Sequence, residues 1–210
     1  MAFKRIAFWG SSSVYGTADT EGGYVGRFRH WFDHEYEYEG GLVYNLGIPG
    51  ETSSKLCQRF PIEFDSRWPD LSVFQIGVND AFRVGGVELP PQVSLEQFEK
   101  NLGSIITYID GRSQILFILQ YPITEEGNPR KTYDQKHLGY YIRSEVETYM
   151  HKMREIAKNN NVSCLDLWDE WIADDKYKQF VTRGDGIHLN EAGYSYIAQR
   201  LEEFIPHMVV

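Results

Sequence analysis

The chain has 210 residues, enough for one sizeable core and too few for two ordinary domains, so a single domain over 1–210 is expected. Hydrophobic residues make up 42% and charged residues 24%, the balance of a chain that folds rather than one that stays disordered. The formal net charge of −9, with no run of Lys or Arg to offset it, argues against a nucleic-acid partner.

Other whole-chain features are quieter. The run Asp33-His34-Glu35-Tyr36-Glu37-Tyr38-Glu39 reads as a solvated helix end and loop. Cys57 and Cys164 fit no zinc or redox spacing and are expected as reduced thiols in the core. The apolar stretch near the N-terminus is too short for an export signal, and no stretch reaches the length of a membrane span, so the expected location is cytoplasmic. No cofactor is implied. Oligomeric state is not legible.

The elements alternate from end to end. Ile6-Ala7-Phe8-Trp9 is a short apolar run stopped by Gly10, as in a buried strand, and a helix follows around Tyr24 to Phe32. Leu42 to Leu46 is a second strand, ended by Gly47-Ile48-Pro49-Gly50, and Thr52 or Ser53 caps a helix through about Phe64. Leu71 to Ile76 is a third strand. Leu95, Phe98, Leu102, Ile105, Ile106 and Ile109 form a helical stripe. Ile115 to Leu119 is the strongest strand, and Ile142, Val146, Tyr149, Met153 and Ile156 mark a long helix over roughly 139–159. Val162 to Asp166 is a fifth strand. Trp168-Asp169-Glu170-Trp171 reads as packing plus a helix start, and Glu191 to Phe204 closes the chain as a helix.

Apolar strands separated by helices imply a parallel sheet covered on both faces. The expected fold is a three-layer α/β/α sandwich, flavodoxin-like, with five parallel strands in the order 2-1-3-4-5. In such folds the functional crevice lies beyond the carboxyl ends of the strands. Two long connections, Phe82 to Ser94 and Tyr121 to His137, leave from that side and are expected to border the site.

Four segments near those strand ends carry groups suited to acyl transfer. After the first strand comes Gly10-Ser11-Ser12-Ser13-Val14; after the second, Gly47-Ile48-Pro49-Gly50; after the third, Gly77-Val78-Asn79-Asp80; before the last helix, Asp185-Gly186-Ile187-His188-Leu189-Asn190. A serine hydroxyl needs a base to take its proton, and a His base needs an acid to orient it and stabilise its cation. Asp185 lies three residues before His188, so one tight turn brings carboxylate and imidazole together. An oxyanion needs fixed donors, and the backbone N–H of Gly50, the side-chain amide of Asn79 and the backbone N–H of Ser12 are candidates.

Each segment alone has an ordinary reading. The serine turn is a helix cap or a phosphate loop, though it lacks a Lys and any Walker or dinucleotide spacing. Gly77-Val78-Asn79-Asp80 and Asp185-Gly186 are turn signals, and Asn190 caps the last helix. His30 and His34 sit four apart on a helix, but no third metal ligand is evident. No Gly-x-Ser-x-Gly elbow is present. The four segments in order, at the functional edge of the sheet, outweigh these readings.

Together they resemble the SGNH hydrolases, also called the GDSL esterase/lipase family, over nearly the whole chain. The resemblance implies Ser12 as nucleophile, Gly50 and Asn79 with the Ser12 N–H as the oxyanion hole, and Asp185 and His188 as acid and base. It implies metal-free hydrolysis of small acyl esters, short-chain or acetyl, carbohydrate esters among them. The family's first motif reads Gly-Asp-Ser-Leu-Ser/Thr; here Ser11 replaces the Asp and Val14 the Ser/Thr, and with three adjacent serines the residues leave Ser11 open beside Ser12. Tyr15, Val78, Tyr121 and Ile187 are expected to touch substrate. Acyl transfer at the same site and a non-catalytic binding module with the same fold are the rival expectations.

Overall fold

The computed structural model describes residues 3–36, 40–132 and 135–208. In chain order the elements are β1 (Arg5–Gly10), α1 (Ser12–Tyr15), α2 (Gly23–Glu35), β2 (Leu42–Gly47), α3 (Ser53–Arg67), β3 (Leu71–Gln75), β4 (Arg83–Val84), α4 (Leu95–Ile109) and β5 (Gln114–Leu119). They continue with β6 (Arg130–Lys131), β7 (Leu138–Tyr140), α5 (Arg143–Asn159), β8 (Ser163–Asp166), α6 (Leu167–Ala173), α7 (Lys176–Phe180), α8 (Glu191–Phe204) and a 3₁₀ turn (Ile205–His207).

The main sheet has five parallel strands in the order β2-β1-β3-β5-β8, the order expected for the five major strands. Its strands are apolar on both sides because helices cover both faces. Along β1, Ile6 and Phe8 enter the core shared with α2 and α8, while Ala7 and Trp9 enter the core shared with α3, α4 and α5. Trp9 stacks on Phe74 with ring centroids 5.3 Å apart and meets Phe60 edge-on at 5.0 Å. Such aromatic contacts add to area burial and lock neighbouring strands to a helix. Side chains satisfy several helix N-termini as expected: Thr52 accepts from Lys55 N–H, and Asn190 accepts from Gly193 N–H at 2.9 Å.

One expectation is corrected. The helix over 139–159 begins only at Arg143, because residues 138–140 pair as β7. Together with the two long connections, β7 builds a second sheet, β4-β7-β6, antiparallel throughout. Strands of two or three residues show no readable alternation. The exposed Asp33, His34 and Glu35 end α2, as a solvated helix end should; Glu37, Tyr38 and Glu39 lie outside the described residues. Cys57 and Cys164 are unpaired and half-buried, and burial pushes their thiols up to about 11 and about 12. Such thiols are poor nucleophiles at neutral pH. Among the described residues, no helix is long and apolar enough to cross a membrane, and no group of three His, Cys, Asp or Glu side chains could hold a metal ion.

Candidate active site

The serine turn is shaped by a glycine. Gly10 ends β1 with its Cα against β3; a Cβ there would lie 2.1 Å from the Gln75 carbonyl oxygen, so no other residue fits. The chain then turns at once into α1, a single helical turn ended by Gly16. This turn separates the three serines. Ser13 is fully buried, with its Oγ 3.1 Å from the Tyr121 hydroxyl. Ser11 is 1% exposed, whereas Ser12 keeps 8%, and among the described residues neither Oγ takes part in a hydrogen bond. Ser12 is also the first residue of α1, where a backbone N–H has no partner within the helix.

The acid–base loop closes on itself just before α8. His188 Nδ1 lies 2.6 Å from Asp185 Oδ2, and the backbone N–H groups of Ile187 and His188 both donate to Asp185 Oδ1 at 2.9 Å. Partial burial works to raise the Asp185 carboxyl. The bonds from the His188 ring and from the two backbone groups outweigh it and hold the group well below the usual carboxylate range. An ionised Asp185 accepts, so Nδ1 carries a proton, and in the neutral ring Nε2 presents a lone pair. Nε2 is buried and has no hydrogen-bond partner. The structure thus joins Asp185 to His188, but no hydrogen bond joins His188 to Ser12; in sites without substrate such bonds are often long and tighten only when substrate binds.

Gly50 and Asn79 form the third part. Gly50 has φ +76, nothing lies within 4 Å of where its Cβ would stand, and its N–H makes no hydrogen bond. Asn79 is held from three sides. Its amide N donates to the Glu51 carbonyl at 2.9 Å, its Oδ1 accepts from the Tyr141 hydroxyl at 2.6 Å, and its backbone carbonyl accepts from Gln92 at 3.1 Å. The Glu51 carbonyl can only accept, which fixes which end of the amide is nitrogen, and burial pushes the Tyr141 phenol up to about 12, so it keeps the proton it donates to the other end. The amide's second N–H stays available.

A buried network holds this wall in place. Asp80 accepts from the Ser53 N–H at 3.0 Å and from the Ser53 hydroxyl, and Asn101 donates to Ser53 and Ser54 at 2.8 and 2.9 Å. The residue after Asn79 is therefore tied to the start of α3. Arg59 grips the Glu51 and Glu63 carboxylates, which fixes the segment after Gly50. From the other side, Arg130 donates to the Asp185 carbonyl and stacks on Tyr141, 4.8 Å from the ring centroid. Arg130 and Tyr141 thus connect the acid–base loop to Asn79.

A pocket of about 500 Å³ opens against Gly50 and Asn79, with Phe82, Lys55, Arg130 and Lys131 among its walls. Both long connections contribute to it, as expected from their position. The four residues expected to touch substrate are placed differently from one another. Tyr15 is exposed at the end of the serine turn. Val78 and Ile187 are buried in the core, and Tyr121 is buried beneath Ser13, stacked on Trp171 at 5.1 Å. Tyr121 therefore supports the turn from below instead of facing the crevice. Arg130, Tyr141, Lys55 and Lys131 were not singled out from sequence. They lie in a connection and on helix faces with no motif, and nothing local marks them.

The GDSL-like Lipase/Acylhydrolase family model matches residues 8–196. The chain belongs to this family. It is a carboxylic ester hydrolase by class, and the match spans all four segments that carry the site. No curated protein matches it in sequence. Among solved structures, an acetyl xylan esterase from Geobacillus stearothermophilus (Axe2, W215I form) is similar at 21% identity and TM-score 0.73, covering 99% of this chain and 96% of that one. The acetyl xylan esterase AlAXEase is similar at 20% identity and TM-score 0.74, covering 95% and 98%. An α/β hydrolase, LAE5, from the metagenome of Lake Arreo, Spain, is similar at 20% identity and TM-score 0.71, covering 95% and 94%. At these identities the likeness is one of fold.

Proposed function

We propose that this GDSL-family protein hydrolyses small acyl esters, foremost acetyl esters of carbohydrates, through Ser12, His188 and Asp185. The observation that carries the reading is His188. Its Nδ1 is committed to an ionised Asp185 while its Nε2 is buried with no partner, the state of a base waiting for a proton. Two further observations support it. Ser12 is the most exposed of the three serines of its turn, and its hydroxyl, like that of Ser11, makes no hydrogen bond among the described residues. Catalytic mutants of the Geobacillus stearothermophilus acetylxylan esterase replace a serine, an aspartate and a histidine, the same three residue types.

The step runs as follows. Ser12 Oγ forms a bond to the carbonyl carbon while His188 Nε2 takes its proton. The carbonyl π pair moves onto oxygen, which the N–H groups of Ser12, Gly50 and Asn79 Nδ2 receive. When the tetrahedral centre collapses, the bond to the leaving oxygen breaks and His188 returns the proton to it as the alcohol departs. Water then repeats the sequence on acyl-Ser12, with His188 as base, and frees the acid. Asp185 stays ionised throughout and stabilises the imidazolium.

The test is a set of 4-nitrophenyl esters of rising acyl length with the wild type, Ser12→Ala and Ser11→Ala. kcat/KM is expected to be highest for acetyl and to fall with chain length. Ser12→Ala should abolish turnover at unchanged melting temperature, while Ser11→Ala retains it. Full activity in Ser12→Ala would sink the assignment.

A further inference from the structure

A two-carbon acyl group cannot fill a pocket of about 500 Å³, whereas the alcohol part of a sugar ester can. This inference rests on the acetyl-ester reading above and concerns what that alcohol part carries. The walls beyond Gly50 and Asn79 are cationic in a chain whose formal net charge is −9. Lys55, Arg130 and Lys131 line the pocket, and among the described residues no carboxylate does.

Arg130 is the informative one. It is half-buried, and among the described residues its side chain makes one polar bond, to the Asp185 main-chain carbonyl, a neutral acceptor. Its Nε–H is buried and has no partner. Among the described residues no carboxylate pairs with it; the half-buried Arg27, Arg59 and Arg83 each hold one, while Arg67 and Arg143 are, like Arg130, held by carbonyl or phenol oxygens. A shielded guanidinium without a counter-ion is costly, and an anionic ligand supplies the missing charge and acceptor. Lys55 and Lys131 are exposed, and neither side chain has an ion-pair partner among the described residues. Glu51 feels the charge of Lys55 but is itself gripped by Arg59.

We infer that the pocket selects esters whose alcohol part bears an anionic group, a carboxylate or a phosphate, which Arg130, Lys55 and Lys131 receive while the acetyl group lies at Ser12. A sugar acid and a sugar phosphate present this chemistry equally. Positive potential at the mouth of the pocket also speeds capture of such substrates, an effect that salt weakens.

The experiment compares 3-O-acetyl glucose with 3-O-acetyl glucuronate and 3-O-acetyl glucose 6-phosphate, which share the scissile ester. The expected result is kcat/KM about tenfold or more higher for at least one anionic substrate at low salt, a ratio that falls with ionic strength. The Lys55→Gln/Lys131→Gln double variant, changed at exposed positions, should bring that ratio toward unity. Which anionic substrate gains more separates a carboxylate source from a phosphate source. Calorimetric binding of glucuronate, glucose 6-phosphate and glucose to Ser12→Ala reads the same preference without turnover. It therefore tests the charge inference even if Ser12 proves not to be the nucleophile. Equal or better use of the neutral sugar, together with equal binding of all three, would overturn the inference; so would an anionic preference that the double variant leaves unmoved.

Discussion

The Asp185–His188 loop and the Gly50–Asn79 wall, the proposed acid–base pair and oxyanion hole, are held in opposite ways. Asp185 and His188 are fixed by one turn: every hydrogen bond to the Asp185 carboxylate comes from the two residues Ile187 and His188. Asn79 and Gly50 are fixed from a distance. Asn79 depends on Tyr141, 62 positions along the chain, and on the Glu51 carbonyl, 28 positions before it. Asp80 beside it depends on Ser53. The Asp185 carboxylate is bonded within its own turn, with Arg130 and Thr124 holding only the loop's main-chain carbonyls, whereas the wall exists only when α3, β3 and the second sheet are all assembled. Damage to the loop should therefore stay local and chemical. Damage to the wall should spread and touch stability as well.

The largest effect is expected in the loop. His188→Ala should lower kcat by about 10⁴-fold or more, and Asp185→Asn by about 10³- to 10⁴-fold, with melting temperature within a few degrees of wild type. Steady-state kinetics with thermal unfolding check both. A large loss of stability in either variant would contradict the picture of a local loop.

The wall comes next. Asn79→Ala should cost about 10²- to 10³-fold in kcat with little change in KM, the pattern of a donor used mainly in the transition state. Removing only its orienting bond, in Tyr141→Phe, should cost about tenfold, again in kcat. Equal losses in the two variants would mean that Tyr141 acts on substrate directly and does not work through Asn79.

The smallest effect separates the regions by pH. Burial pushes Asp80 up to about 6 from 3.8, overriding its bonds from Ser53. Its folded pKa is raised, so its contribution to stability is full below pH 3.8 and is lost as pH rises through about 6. Asp185 has the opposite sign: its carboxyl is held low, so its contribution is present above the ordinary carboxylate range and is lost as pH falls through its folded value. Urea unfolding between pH 4 and 7 should show Asp80→Asn gaining stability relative to wild type as pH rises. Asp185→Asn should run parallel to wild type over the same range, because the Asp185 contribution changes only below the ordinary carboxylate range. A parallel curve for Asp80→Asn, or a sloping one for Asp185→Asn, would contradict the assignment of these shifts.

The same contrast explains what the sequence makes legible. The five main strands were legible because apolar runs, glycine stops and helical stripes are local signals, and their order followed from the crossover rules of a parallel sheet covered on both faces. Asp185 and His188 were legible because a three-residue spacing carries its own geometry. Asn79 was found through its neighbours in a motif, but what holds it was not: Tyr141 and Arg130 lie next to strands of two and three residues whose pairing is set by tertiary contacts. Tyr121 was misplaced for a related reason. A tyrosine after a strand can face a crevice or the core, and its burial is decided by Ser13 and Trp171, both remote in sequence. Ser12 stands between the cases. Its turn was legible, but its distinction from Ser11 and Ser13 depends on which hydroxyls the fold buries.

The most direct test of the account is the identity of the serine that reacts. The protein should be treated with a fluorophosphonate probe and the labelled residue mapped by peptide mass spectrometry in wild type, Ser11→Ala, Ser12→Ala and His188→Ala. The account predicts a single label on Ser12, retained in Ser11→Ala and absent in Ser12→Ala and in His188→Ala. A label on Ser11 or Ser13, or undiminished labelling in Ser12→Ala, would contradict it.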